Sequence, residues 1–232
     1  MPPQIIKTTQ PERRGRIHQM DRDGVGLIED LDNGRCYMFS PKVLDRASVI
    51  EFRVTKDEMK NFLKNNTELK LDSLDGMGKE MAESFTAIAM EDKIEAENLE
   101  EISDILLEFF SELKKIGAEF GYRSASEILR FAAIINQLEP EWKPTDILDA
   151  AIMQKLLPKV HGSRKRLAPI LETLGSLSMS EKPIGEEKME HFLNPQEEKD
   201  FSSRIKYSMS FEKIARMYRA LLHNGFTSYA EA

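Results

Sequence analysis

The sequence predicts a mainly α-helical protein, and three observations carry that expectation. From Leu99 onward apolar residues recur every three or four positions, the period of one helix face. Only Ser48-Val-Ile-Glu-Phe-Arg-Val-Thr has the β-branched and aromatic content of a good strand. Apolar residues make up 41% of the 232 positions, which is enough for a packed core.

Residues 1 to about 20 are polar, with Pro2, Pro3 and Pro11 and the basic run Arg13, Arg14, Arg16, and read as a loose tail. That run is either a solvated extension or a nucleic-acid contact. The glycines of 21–36 allow a short strand at Val25-Gly-Leu-Ile-Glu and a turn at Asp32-Asn-Gly. Ser40 and Pro41 suit the cap and first position of a short helix. The strand at 48–55 follows, then a helix at 56–64. Residues 65–98 are polar and irregular, an insertion or linker.

Five amphipathic helices come next. Leu99, Ile102, Leu106, Phe109, Leu113 and Ile116 form the first stripe, which ends at Gly117. Ser124-Ala-Ser-Glu127 reads as a capping box that opens a second helix with Ile128, Phe131, Ile135 and Leu138 inward. Thr145 or Asp146 begins a third, stopped by Pro158. Ser163 begins a fourth, which ends near Gly175, and 176–209 reads as a mobile loop. The last helix covers 210–224, with His223 at its carboxy end, where the helix dipole favours a cation. Such stripes must pack on one another, so the carboxy-terminal half is an all-α domain.

Composition and motifs exclude several functions. The formal net charge of −7 argues against coating nucleic acid by bulk electrostatics, though not against a local basic patch. Cys36 is the only cysteine, so an intrachain disulfide and a multi-thiolate zinc site are excluded. The expected setting is a reducing, cytoplasmic one, because the opening lacks a secretory h-region and no run of about 18 apolar residues could span a membrane. Gly78-Lys79 is followed by Glu80, and Ser73 stands where a phosphate-binding loop needs glycine. Leu27-Ile-Glu-Asp30 only faintly resembles a metal-carboxylate strand. The four histidines share no metal-ligand spacing, and no metal site is expected.

Three groups of residues remain as candidates. Arg46 follows a short helix, placed either to reach a nucleotide on a neighbouring subunit or to pair with Asp45 or Glu51. Arg123, in Phe120-Gly-Tyr-Arg123, opens a helix with Gly121 allowing a sharp turn. A cation there opposes the dipole, which calls for an anionic ligand or carboxylate partner. Ser163, Arg164, Lys165 and Arg166 form a basic cluster at a helix start, a candidate anion or DNA contact or else a solvated turn.

These residues lie in blocks that resemble a known family. Tyr37-Met-Phe-Ser-Pro-Lys-Val-Leu-Asp-Arg-Ala-Ser-Val-Ile-Glu-Phe is similar to the end of the AAA+ core in McrB-like motor subunits of modification-dependent, 5-methylcytosine-type restriction systems. Phe120-Gly-Tyr-Arg-Ser-Ala-Ser-Glu-Ile, Gln154-Lys-Leu-Leu-Pro-Lys-Val-His-Gly-Ser-Arg and Lys213-Ile-Ala-Arg-Met with Asn224-Gly-Phe-Thr-Ser-Tyr resemble successive blocks of the same proteins' lid. The likeness covers roughly 37–232 in order.

The resemblance implies a helical lid bundle of an AAA+ ATPase with a short remnant of the α/β core. Residues 1–36 would be a flexible, atypical segment, 37–64 the core remnant, 65–98 an insertion, and 99–232 the lid with its loop at 176–209. Arg46 falls at the arginine finger, acting in trans, and Arg123 at the lid's sensor arginine. The implied cofactor is ATP or GTP with magnesium, not bound by this chain alone. The implied partners are intact AAA+ subunits or a nuclease subunit in a homo- or hetero-oligomer, with DNA engaged indirectly.

The chain departs from the family where Gly34-Arg-Cys36 stands in place of a sensor asparagine, and nothing before Tyr37 resembles a P-loop. The expectation is therefore a truncated or split motor, catalytically silent alone. The alternative is a non-enzymatic helical module that binds protein or DNA.

Overall fold

A computed structural model describes the strands at 5–7, 14–17, 28–30 and 36–37 and residues 41–44, 46–65, 75–76, 78, 81–91, 96–181, 188–195 and 201–232. The chain is mainly helical, as expected. It divides into two units, Met1–Ile50 with Ala96–Ala232 and Glu51–Glu95.

The core of the first unit is built by α4 (Leu99–Lys114), α5 (Tyr122–Leu138), α6 (Pro144–Ala151), α7 (Arg164–Leu177) and α9 (Ser208–Asn224). Their stripes meet as the periodicity requires: Ile102, Leu106, Phe109 and Leu113 of α4 join Leu167, Leu171 and Leu174 of α7 and Phe211, Ile214, Met217 and Leu221 of α9 in one cluster. The α4 helix closes as a Schellman motif. Ala118 N–H reaches Leu113 O at 3.0 Å and Gly117 N–H reaches Lys114 O at 3.1 Å, with Gly117 at φ 65, a left-handed conformation natural to glycine.

Chemistry at the helix ends fixes how these helices meet. Pro144 and Asp146, whose carboxylate accepts Lys143 N–H at 3.0 Å, start α6 one residue before the expected point. Asp149 of α6 is buried and accepts Met209 N–H and Ser210 N–H, each at 2.8 Å, and Ser210 Oγ–H at 2.5 Å. One helix thus supplies the amino-terminal cap of another. After α6 the chain widens into a π-helical turn, Ile152–Leu156, and then a 3-10 turn, Leu157–Lys159. Pro158 has no N–H to return to Gln154 O, and that carbonyl instead accepts Val49 N–H at 3.0 Å. A short antiparallel pair, β5 (His161–Ser163) with β6 (Phe226–Ser228), joins the start of α7 to the end of α9.

Several expectations are corrected. The first 36 residues, read as a flexible segment with a short strand at 25–29, carry β1 (Ile5–Lys7), β2 (Arg14–Ile17), β3 (Ile28–Asp30), which overlaps the expected strand, and the first residue of β4 (Cys36–Tyr37), paired antiparallel in that order. The cap expected of Ser40 lies outside the described residues, while α1 (Pro41–Leu44) starts at Pro41 as expected.

The strand expected at 48–55 does not form. Val49 alone is buried, while Phe52 is 86% exposed and has no ladder to join among the described residues. In the second unit α2 (Lys56–Asn65) matches the expected helix, opened by a true capping box in which Thr55 N–H donates to Glu58 at 2.7 Å and Glu58 N–H to Thr55 Oγ1 at 3.2 Å. The stretch expected to be irregular contains α3 (Ala82–Met90).

Ser124-Ala-Ser-Glu127 caps nothing, because α5 begins two residues earlier and Ser124 is buried inside it. Gly121, expected to make a sharp turn, is extended, at φ −92 and ψ 178. The expected loop at 176–209 holds α8 (Met189–Leu193), with Met189, Phe192 and Leu193 buried. The α7 helix ends at Leu177, two residues beyond Gly175. A Cβ there would lie 3.0 Å from both Leu193 Cδ2 and Met189 Cε, so glycine allows α8 its close approach.

Asp149→Ala leaves one buried and one part-buried N–H group of α9 without their acceptor and should lower stability by about 2–3 kcal/mol, with Asp149→Asn in between. Urea unfolding checks this; an alanine variant as stable as the parent would show that the carboxylate does not hold α9.

Candidate functional site

A cleft of about 250 Å³ in the first unit is lined by Arg46, Ser48, Glu127, Ile128, Phe131, Ala151, Gln154 and Lys155. Its walls follow from the local folding. Arg46 and Ser48 lie on the segment after α1, pinned by the buried Val49 and by its bond to Gln154 O. Glu127, Ile128 and Phe131 share one face of α5, and Gln154 and Lys155 come from the π-helical turn. Such turns are frequent at functional sites.

Glu127 is the electrostatic centre. Its Oε2 accepts Lys155 Nζ at 2.5 Å and its Oε1 accepts Arg123 Nε at 3.0 Å. The Lys155 ammonium holds the Glu127 carboxyl below its ordinary value of 4.5; burial opposes this, and Arg123 assists. Lys155 is nearly buried, with 10% of its side chain exposed, whereas Arg123 is 61% exposed. The Lys155 bond is therefore the firm one and the Arg123 pair the loose one.

The candidate residues fare differently. Arg46 is exposed in the cleft wall and makes no ion pair among the described residues. Arg123 lies in the first turn of α5, and the carboxylate partner that its unfavourable position called for is Glu127, one turn on. Arg46 thus lines the same cleft as Glu127, and Arg123 contacts that carboxylate directly.

The basic cluster is not part of this cleft. Ser163 stands at the cap position of α7 but makes no side-chain cap, and Arg164 N–H is taken by Gly225 O at 2.8 Å. Arg166 donates to Ile116 O at 2.5 Å, where a cation complements the carboxy end of α4. Arg166 therefore caps the end of α4 through one of its donors. Ser163, the side chain of Arg164 and Lys165 remain exposed.

Glu127, Gln154 and Lys155 are site residues that sequence reasoning missed. The i, i+4 spacing of Arg123 and Glu127 could have revealed the first. Nothing in Gln154-Lys155 announces the π-helical register that places them at the cleft.

Among the known families, a domain of unknown function (DUF8727) matches residues 73–226. The chain belongs to the DUF8727 family. No curated protein and no solved structure matches it. The DUF8727 match includes Arg123, Glu127, Gln154 and Lys155, while Arg46 and Ser48 precede it. Among the described residues no group of three or more His, Cys, Asp or Glu could hold a metal ion. Among the described residues the only carboxylate lining the cleft is Glu127, already occupied by two cations, so these residues do not fit a magnesium site. No described helix is long and apolar enough to cross a membrane.

Because its folded pKa lies below the unfolded value, Glu127 contributes stability that is complete above pH 4.5 and lost as pH falls through the lower folded value. Glu127→Gln should therefore be less stable than the parent near neutrality and converge with it in acid. A stability gap that stays constant from about pH 6 to about pH 3 would contradict this assignment.

Proposed function

We propose that this DUF8727 chain is the lid region and trailing core segment of an AAA+ nucleotide-driven motor of the restriction type. It acts in a ring with P-loop-bearing subunits and is silent as a nucleotide hydrolase alone. Support comes from the helical bundle at 99–232, the exposed Arg123 at a helix start, and above all from Arg46. The carrying observation is an exposed guanidinium, without an ion pair among the described residues, on a segment anchored by the buried Val49 and its bond to Gln154. A cation that is anchored yet uncommitted suits donation to phosphate held by a neighbour.

Magnesium and the γ-phosphate of ATP or GTP are bound by the partner subunit in this reading, since the cleft's donor set does not fit the metal. A nuclease subunit and DNA complete the assembly, in the cytoplasm. The alternative, a module that binds DNA or protein through residues 163–166, has less support because Arg166 is committed to Ile116.

The test mixes the purified chain with a P-loop motor subunit of this type whose own finger arginine is replaced by alanine. Phosphate release should recover by a factor on the order of 10³, and an Arg46→Ala chain should fail to restore it. Recovery indifferent to Arg46→Ala, or no recovery in a mixed ring that does assemble, would refute the reading. Turnover by the chain alone, above that of an Arg46→Ala, Arg123→Ala double variant, would refute its silence.

A further inference from the structure

We infer that the cleft between Arg46 and Lys155 binds a phosphate monoester, with the phosphate between the two cations and the organic group on the apolar floor. This goes beyond the motor reading, since it concerns the isolated chain and holds whether or not a ring forms.

Charge selects the class of ligand. Arg46 and Lys155 line the cleft with a single described carboxylate, Glu127, so among the described lining residues two cations stand against one anion. An anion entering there offsets an excess of positive charge. Shape and donors refine the choice. Arg46 offers a planar fork matched to phosphate oxygens, and Ser48 and the Gln154 amide add neutral hydrogen-bond donors from the same walls. Ile128, Phe131 and Ala151 leave one side apolar, which inorganic phosphate could not use and a carbon-bearing ester could.

The cleft is also built in advance. Lys155 is held near-buried by its 2.5 Å bond to Glu127, and the Arg46 segment is pinned to Gln154 O, so little ordering remains for a ligand to bring about. Glu127 has a further effect: its bond holds the near-buried Lys155 ammonium in place at the cleft wall.

The test titrates the purified full chain with inorganic phosphate, phenyl phosphate and benzyl alcohol, following the backbone amide signals of Ile128, Ala151 and Gln154 by NMR. Phenyl phosphate should bind more tightly than inorganic phosphate and benzyl alcohol should not bind. Added salt should weaken both phosphate ligands. Arg46→Ala should weaken phenyl phosphate about tenfold or more, while Lys188→Ala, a charge-matched change outside the cleft, leaves it unaltered. Arg46 is exposed, so its replacement tests binding without endangering the fold. Absence of binding, binding indifferent to Arg46→Ala, or equal affinity for phenyl phosphate and inorganic phosphate would overturn the inference. Each of those results leaves the trans-rescue experiment with motor subunits unaffected, so the two readings fail separately.

Discussion

The buried carboxylate of Asp149 is the constraint from which the functional face of the molecule follows. A carboxylate taken out of water costs several kcal/mol unless its oxygens are satisfied, and the first N–H groups of a helix are the donors best placed to satisfy them. By accepting Met209 N–H, Ser210 N–H and the Ser210 hydroxyl, Asp149 fixes α6 against the amino end of α9. Everything just after Asp149 in the chain inherits that placement. The π-helical turn follows directly, and the carbonyl freed by Pro158 receives the Val49 segment.

The cleft adds an electrostatic asymmetry to this framework. Glu127 holds two cations whose surroundings differ, Lys155 withdrawn from water and Arg123 largely in it. Coulomb attraction strengthens as solvent is removed, so the carboxylate's hold on Lys155 resists competition while its hold on Arg123 does not. One carboxylate thus fixes a buried ammonium and leaves a guanidinium nearby that can be recruited.

What could be read from the sequence followed from local rules. The stripes of α4, α7 and α9 were legible because Leu, Ile and Phe at helical spacing have few other ways to be buried, and the Gly117 stop was legible because a Schellman turn favours glycine. Errors arose where two local rules competed or where a long-range partner decided. Ser124 and Glu127 have the same spacing as Thr55 and Glu58, yet only the latter pair caps a helix. In α5 the helix starts at Tyr122, which places Ser124 inside the core and turns Glu127 towards Lys155, twenty-eight positions away. Val49 to Val54 has strand composition, but a strand exists only with a ladder, and one N–H bonded to Gln154 O does not make one. Arg166 looked like part of a basic patch, and its partner, Ile116 O, lies fifty positions away, beyond any local pattern.

Arg123 shows how a locally unfavourable choice can still be physically coherent. A cation in the first turn of α5 opposes the helix dipole, and an arginine preceding its glutamate by four positions is in the weaker of the two orientations for such a pair. At 61% exposure the ion pair is worth roughly 0.2–1 kcal/mol. The Arg123 pair can therefore open while Glu127 keeps Lys155, because the Lys155 bond is the shorter and drier of the two. Exchange of one cation with retention of the other requires no rearrangement of the core, only a rotation of one exposed side chain.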